Sequence, residues 1–290
     1  MFKRIARSDQ LNFVLTNHIP RALATRLVGR LSKIQSPLLT RLMIGVWRLF
    51  TDLDLSDARK SRFESLHDCF TRELKPGARV FDPSEHVLCS PCDAIVGACG
   101  RVERGMVLQA KGMPYSLQDL LGPGRDGGPW QEGHYVTLRL TSAMYHRFHA
   151  PANGTVRHVT YLSGDTWNVN PPTLARIDRL FCRNERAAIR YSLDSGESLM
   201  LVAVAAVLVA SIRLRFADTT LSMDYRGPAE IACSARLARG EEMGWFEHGS
   251  TIIVFAPEGM ELAAGVIEGA GIRAGEALLS LRSMISSRPS

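Results

Sequence analysis

The sequence predicts an α+β protein, with N-terminal amphipathic helices followed by a β-rich, sandwich- or barrel-like domain. Two observations carry this. Between Pro20 and Phe50 the apolar residues recur at helical spacing. After Arg79 the texture changes to short alternating runs rich in Val, Ile and Thr, separated by Gly, Pro, Ser and Asn. With 290 residues, 46% apolar and 22% charged, the chain can bury a sizeable core.

In the front end, Leu23, Leu27, Leu31 and Ile34 share one side of a first helix, with Arg26, Arg30 and Lys33 beside them. Pro37, favoured in a first turn, opens a second helix with Leu39, Leu42, Met43, Val46, Leu49 and Phe50 on one face. Trp47 is placed for a membrane interface. A third helix is expected from a cap at Ser56 or Asp57, with Phe63, Leu66 and Phe70 on one face, ending near Lys75-Pro76-Gly77. The formal net charge of +6 is concentrated here: nine basic residues among the first 50 stand against one acid, Asp9. Residues 1–75 are therefore read as a basic helical region suited to an anionic membrane surface, and 76–290 as the β-rich domain. Helices packed on the domain with a solvated basic face are the other reading. Nucleic acid is not expected, because the basic residues lie among aliphatics rather than stacking aromatics.

Strands are expected at 94–99, 134–140, 154–161, 187–193, 199–215, 229–236 and 251–255. In the second of these, Val136, Leu138 and Leu140 alternate with Tyr135, Thr137 and Arg139. The apolar run Leu199 to Ala210 would span about 18 Å as a helix, against a hydrocarbon core of about 30 Å, so it reads as a buried strand. No transmembrane helix and no secretory signal are expected. Residues 122–129 read as a mobile surface loop. Of six cysteines only Cys89-x-x-Cys92 has metal spacing, and nothing completes the set. Buried free thiols in a reducing compartment are expected, with no metal.

Three stretches could carry chemistry: Ser90-Pro91-Cys92-Asp93, Tyr145-His146-Arg147-Phe148-His149, and His248-Gly249-Ser250-Thr251. An Asp, a His and a Ser are the parts of a charge relay, in which His takes the hydroxyl proton and Asp orients the imidazole. The same residues also read as a turn acid, a core histidine and a Gly-Ser turn. The G-x-S-x-G elbow of the α/β-hydrolases is absent.

Several segments, in order along almost the whole chain, resemble phosphatidylserine decarboxylase proenzymes. They are FTRELKPGARV (70–80), SPCDAIV (90–96), KGMPYSLQDLLG (111–122), YHRFHAPANGTV (145–156), YLSGDTWNVNP (161–171) and GEEMGWFEHGSTIIVFAP (240–257). HIPRALATRLVGRL is similar to that family's membrane-associated helical start. The resemblance implies a lyase of phospholipid biosynthesis that is made as a zymogen. It would cut itself between Gly249 and Ser250 into a β chain, 1–249, and an α chain, 250–290. Ser250 would become a covalent pyruvoyl cofactor, the electron sink for decarboxylating phosphatidylserine to phosphatidylethanolamine. By the same resemblance His149, oriented by Asp93, is the base for self-cleavage, and His146 handles protons in decarboxylation. The implied partners are phosphatidylserine, an anionic membrane surface, the two chains of one precursor and, as a family-level expectation, a second copy in a homodimer. The place would be peripheral, on the cytoplasmic face of the membrane if the cell is bacterial.

The chain departs from the family pattern at Ala94, Met144, Ala205, Ala210 and His248. None of these removes Asp93, His149 or Ser250, though the two alanines at 205 and 210 replace glycines and forbid comfortable positive φ. Two other functions stay open: a pyruvoyl-dependent decarboxylase of another amino-acid-like substrate, and a non-cleaving relative that binds membrane surfaces.

Overall fold

The computed structural model describes residues 20–281 apart from 111, 126, 208–210 and 248–249. Ala210, His248 and Gly249 therefore lie outside the described residues.

Two helices open the described chain, α1 (Arg21–Ser32) and α2 (Pro37–Phe50). Ser36 accepts the Leu39 N–H at 3.5 Å and Pro37 follows it, which sets where α2 starts. A short α3 (Leu66–Phe70) is capped by Ser65, whose Oγ accepts the Asp68 N–H at 3.0 Å. The third helix is thus shorter and later than expected from Ser56 or Asp57. Asp54 captures the Ser56 N–H at 2.8 Å, and Ala58 bridges to Leu74, so residues 56–65 are committed to turns. Three one-turn helices lie further on: α4 (Leu117–Leu121), α5 (Pro171–Leu174) and α6 (Leu180–Arg183).

The amphipathic helices are turned inside out. Thr25, Ser32 and Thr40 are buried, and the Thr40 hydroxyl donates to Glu64 O at 3.1 Å. The apolar faces look outward: Leu38 is 80% exposed, Leu49 67%, Leu42 64% and Leu23 64%. Trp47 corrects its expected interfacial placement. It is half-buried and stacks on Phe70, centroids 5.7 Å apart.

The first strands are β1 (Val87–Cys89), β2 (Ala94–Arg101), β3 (Met106–Leu108), β4 (Pro114–Ser116), β5 (His134–Leu140) and β6 (Arg147–His149). The middle of the chain supplies β7 (Gly154–Leu162), β8 (Arg186–Leu193), β9 (Ser198–Ala205), β10 (Ser211–Leu214), β11 (Thr219–Ser222) and β12 (Glu230–Leu237). The last are β13 (Glu242–Phe246), β14 (Ser250–Ala256), β15 (Met260–Leu262), β16 (Gly271–Ile272) and β17 (Ala277–Leu281). An eight-stranded antiparallel sheet runs β12-β7-β8-β9-β14-β5-β2-β16. A four-stranded sheet runs β11-β10-β13-β6, a three-stranded one β1-β17-β15, and β3 pairs β4. The α+β class and the order of helices then strands are those the sequence predicts.

Strand alternation splits the core across the large sheet. Val136, Leu138, Ile252, Val254 and Phe246 belong to one apolar cluster, while Tyr135, Ile253, Phe255, Val204 and Trp130 belong to the other. Ser250 has the parity of Ile252, and Arg139 has that of Tyr135. The stretch expected as one strand over 199–215 is two. β9 ends at Ala205 in the large sheet and β10 restarts at Ser211 in the four-stranded sheet, because the chain changes sheets there. Within 122–129, the loop ends in a short 3₁₀ turn, Gly128–Trp130, whose Trp130 is buried and donates to Ser198 O at 2.7 Å.

Candidate active site

β13 lies in the four-stranded sheet and β14, the next strand along the chain, in the eight-stranded sheet. Ser250 begins β14 between two neighbours, opposite Leu140 of β5 and Ala205 of β9. It is fully buried, and its Oγ has no hydrogen-bond partner among the described residues. A buried hydroxyl left without a partner costs stability, of order 1–3 kcal/mol. Such a cost is common where the group has chemistry to do.

Ala205 stands in regular strand, with Asn184 Nδ2 donating to its carbonyl at 2.8 Å. Neither Ala205 nor Ala94 is among the positive-φ residues. Position 205 therefore needs no glycine for its backbone conformation.

His149 ends β6, where its N–H donates to Pro91 O at 2.8 Å, tying it to the segment that carries Asp93. Its Nδ1 lies 2.9 Å from Gly240 O. A carbonyl only accepts, so Nδ1 carries the proton and Nε2 holds the lone pair. Tyr145 OH donates to that lone pair at 3.0 Å. Burial lowers the His149 pKa from its ordinary value, against smaller raising effects from the Gly240 bond and the Glu242 and Asp93 charges. Gly240 earns its place through its backbone: φ is +78°, and a Cβ there would meet the Phe81 ring at 2.9 Å.

The Asp93 carboxylate is held by a different residue from the one expected. Arg79 grips it with two bonds, Nε to Oδ1 at 2.8 Å and Nη2 to Oδ2 at 2.5 Å, and Ala274 N–H adds a third at 3.0 Å. Arg79 also reaches Asp57 at 2.9 Å. No described hydrogen bond joins Asp93 to His149, or His149 to Ser250. A bidentate guanidinium outcompetes a single neutral imidazole for a carboxylate, because both of its bonds are charge-assisted. Asp93, Arg79, Tyr145 and Met144 line one cavity of about 530 Å³ between the 51–58 segment and the sheet.

His146 is fully buried, with Nδ1 donating to Met144 O at 2.9 Å and its ring 4.0 Å from that of Phe70. Met144 is the position where the resemblance leads one to expect Asp. Its sulfur accepts the Thr141 N–H at 3.4 Å, so the thioether takes over a turn bond that a carboxylate could make. Arg72 ties the same turn to α3, donating to Ala143 O at 2.9 Å and to Cys69 O at 3.3 Å. Cys89 and Cys92 are free, buried thiols that burial pushes up in pKa. Among the described residues no three His, Cys, Asp or Glu side chains gather into a metal set.

The structure thus brings Asp93 and His149 together through adjoining backbone, with His146 one short strand away. Arg79, Tyr145 and Gly240 are the residues that the sequence reading left without a role. All three lie inside the quoted motifs 70–80, 145–156 and 240–257, but the spacing of a motif does not say who bonds whom.

A strand-initial, buried serine, a buried histidine and an arginine-clamped acid do not form the nucleophile elbow of an α/β-hydrolase. Comparison with known proteins makes the assignment specific. The family model described as phosphatidylserine decarboxylase matches residues 66–280. A phosphatidylserine decarboxylase proenzyme of Idiomarina loihiensis is 33% identical over 89% of this chain and 91% of its own. Those of Shewanella amazonensis and Vibrio cholerae are 34% and 35% identical, over 94% and 92% of this chain and 99% and 98% of theirs. The chain belongs to the phosphatidylserine decarboxylase family, a family of enzymes.

Proposed function

We propose that this chain cuts itself between Gly249 and Ser250 and then decarboxylates phosphatidylserine to phosphatidylethanolamine at a membrane surface. The observation that carries the reading is Ser250 itself: buried, without a described partner, and first in a central strand, in a family whose relatives are proenzymes.

In the first reaction Ser250 Oγ attacks the carbonyl carbon of residue 249, and its proton goes to the base. The C–N bond breaks, leaving an ester on Oγ and a free amine at 250. Loss of the Cα proton then expels the ester oxygen with the 1–249 chain as a carboxylate. The dehydroalanine left at 250 takes up one water and releases one ammonia, giving the ketone. His149 suits the base role, since its lone pair is on Nε2 and burial keeps it neutral. Tyr145 sits on that lone pair and would pass the proton or give way. Arg79 fixes the Asp93 charge in place beside this group.

Position 250 fits a pyruvoyl group: the site is buried, and the strand holds its backbone on both sides. That ketone supplies the sink for the electrons left when CO₂ departs. His146 carries its ring proton on Nδ1, bonded to Met144 O, so Nε2 is the atom at which it would move a proton. Phe70 keeps the imidazole in apolar surroundings.

No helix of the described residues is long and apolar enough to cross a membrane. The outward apolar faces of α1 and α2, flanked by exposed Arg26, Arg30, Arg41 and Arg48, support a peripheral attachment to anionic lipid. In a bacterial cell that surface would be the cytoplasmic leaflet.

Intact-mass spectrometry of denatured protein tests the reading. Two chains split after Gly249, the shorter of 41 residues and beginning with pyruvoyl, are expected. A single stable chain near neutral pH would sink it.

A further inference from the structure

A groove of about 460 Å³ lies on the face of the eight-stranded sheet opposite the Ser250 hydroxyl. Pro171, Pro172, Leu174 and Ile95 give it an apolar lining, and Arg139 and Arg176 bring cationic charge. Glu268 is the acid in the lining, and no ion pair joins it to Arg139.

Among the described arginines, Arg139 is set apart by being half-buried and yet unpaired through its side chain. Arg186, on the same side of the sheet, donates to the carbonyls of Asp119, Leu120, Cys182 and Asn184. Arg79 and Arg147 are each paired with carboxylates. The Arg139 side chain has no hydrogen bond, ion pair or ring contact among the described residues, although the residue is half-buried. Burial alone lowers its pKa, with no neighbouring charge to offset it. A guanidinium has five donors, so this group is set up for a ligand it does not find within the chain.

Its position gives the ligand. Arg139 pairs with Thr251 of β14 and Ile95 of β2. Its Cα is therefore one strand across and one residue along from position 250, roughly 6 Å on ordinary strand spacings. We propose that Arg139, assisted by Arg176, is an anion subsite for the phosphodiester of a glycerophospholipid headgroup. The inference rests on the reading that this protein acts on phosphatidylserine, and it deepens that reading. Two anions are available in such a headgroup, and the chemistry selects between them. The carboxylate leaves as CO₂, so a cation gripping it would stabilise the ground state and oppose its loss. The phosphodiester is unchanged through the reaction, so holding it anchors the substrate uniformly. Four bonds separate the serine nitrogen from phosphorus, and the long arginine side chain can follow the headgroup over such a span. A planar guanidinium matches phosphate oxygens with two parallel bonds, and the apolar lining accepts the glycerol beyond.

The test uses Arg139→Met and Arg139→Lys in two backgrounds. In otherwise unaltered protein, Arg139→Met should self-cleave normally, which reports an intact fold. Its KM for phosphatidylserine in mixed micelles should rise at least about tenfold while kcat changes less than about threefold, the split expected when a charged hydrogen bond of uniform binding is lost. Arg139→Lys should recover part of the KM. In the Ser250→Ala background, which makes no ketone, binding of glycerophosphoserine should weaken by a similar factor with Arg139→Met. Glycerophosphoethanolamine, which lacks the carboxylate, should show the same dependence on Arg139. Inorganic phosphate should bind far more weakly than either diester. Unchanged KM together with unchanged diester binding would overturn the subsite. So would an Arg139 dependence seen only with the carboxylate present, or inorganic phosphate binding as well as the diesters. If the unaltered protein fails to cleave or to release CO₂, the phosphatidylserine reading fails instead, and the binding arm still decides the subsite.

Discussion

Lys33 Nζ lies 3.1 Å from Glu247 Oε2, an ion pair that ties the end of the outward-facing first helical segment to the residue two before Gly249. His67 Nε2 stands 3.8 Å from the other oxygen of the same carboxylate. Glu247 is therefore held from the side of the helices, while its N–H donates to Ser211 O at 3.3 Å within the sheet. The link between the helices and Glu247 is electrostatic and partly exposed. A pair of this kind contributes on the order of 0.2–1 kcal/mol.

Lys33→Glu sets two carboxylates against each other at that point. Self-cleavage is expected to slow, on the order of two- to fivefold. The swapped pair, Lys33→Glu with Glu247→Lys, should regain most of the rate. Time courses on denaturing gels measure it. A swap no faster than the single variant would deny the coupling.

The pH dependence of cleavage follows from His149. Burial lowers its pKa, so the neutral base persists to lower pH than an ordinary histidine near 6.5. The cleavage rate should be flat above neutrality and fall only on the acid side of that value. Tyr145 donates to the lone pair of the neutral ring and so favours the neutral form. Tyr145→Phe removes that preference and should move the acid limb to higher pH. An unmoved limb would exclude His149 as the titrating base.

The two histidines should divide the work. His146→Ala is expected to cleave to the 41-residue chain yet lose decarboxylation by about 100-fold or more, the range for a lost proton-transfer group. Ser250→Ala should remain a single chain. Release of the short chain from Ser250→Ala, or failure of His146→Ala to cleave, contradicts the assignment.

Glu185 predicts an alkaline loss of stability. It is 2% exposed, and burial pushes its pKa from 4.5 to about 7. The Tyr161 hydroxyl contacts both Glu185 Oε1 and Ser222 O, and has one proton for two acceptors. A protonated Glu185 supplies the second. The folded state thus binds this proton more tightly than the unfolded one. The stabilisation is fully present below 4.5 and is lost as pH rises through about 7, roughly 3 kcal/mol for a shift from 4.5 to 7. Glu185→Gln should raise Tm at pH 8.5 and change it little at pH 5. Parallel Tm curves for the two proteins would dismiss the carboxyl as the cause.

The strands of the large sheet were legible because their pattern is local. Val136, Leu138 and Leu140 alternate, and the run Leu199 to Ala205 is apolar on both faces, as a strand between two cores must be. The short strands β1, β6, β13 and β17 were not foreseen, since three to five residues do not establish a period. The amphipathic helices were legible as helices, and the outward apolar face is the one the membrane-surface reading of residues 1–75 calls for, although the pattern by itself shows two faces without saying which meets the core. Asp93, His149, His146 and Ser250 lie in stretches that the sequence singles out for chemistry, and a family resemblance gave them their expected roles. Their partners were not legible, because Arg79 reaches Asp93 over 14 residues and Gly240 reaches His149 over 91, which only the fold can arrange.

The register of β14 has a consequence for what a cut chain would look like. Its seven residues pair with β5 on one side, and six of them with β9 on the other. Further on, β17 pairs with β1, and β16 with β2. A break ahead of Ser250 would therefore be a nick and not a separation. The short fragment would stay woven into the sheets of the long one, losing one peptide link and keeping its ladder bonds. Processing would alter the end of a strand without asking the fold to change, so precursor and product should migrate as one size until a denaturant pulls the strand out.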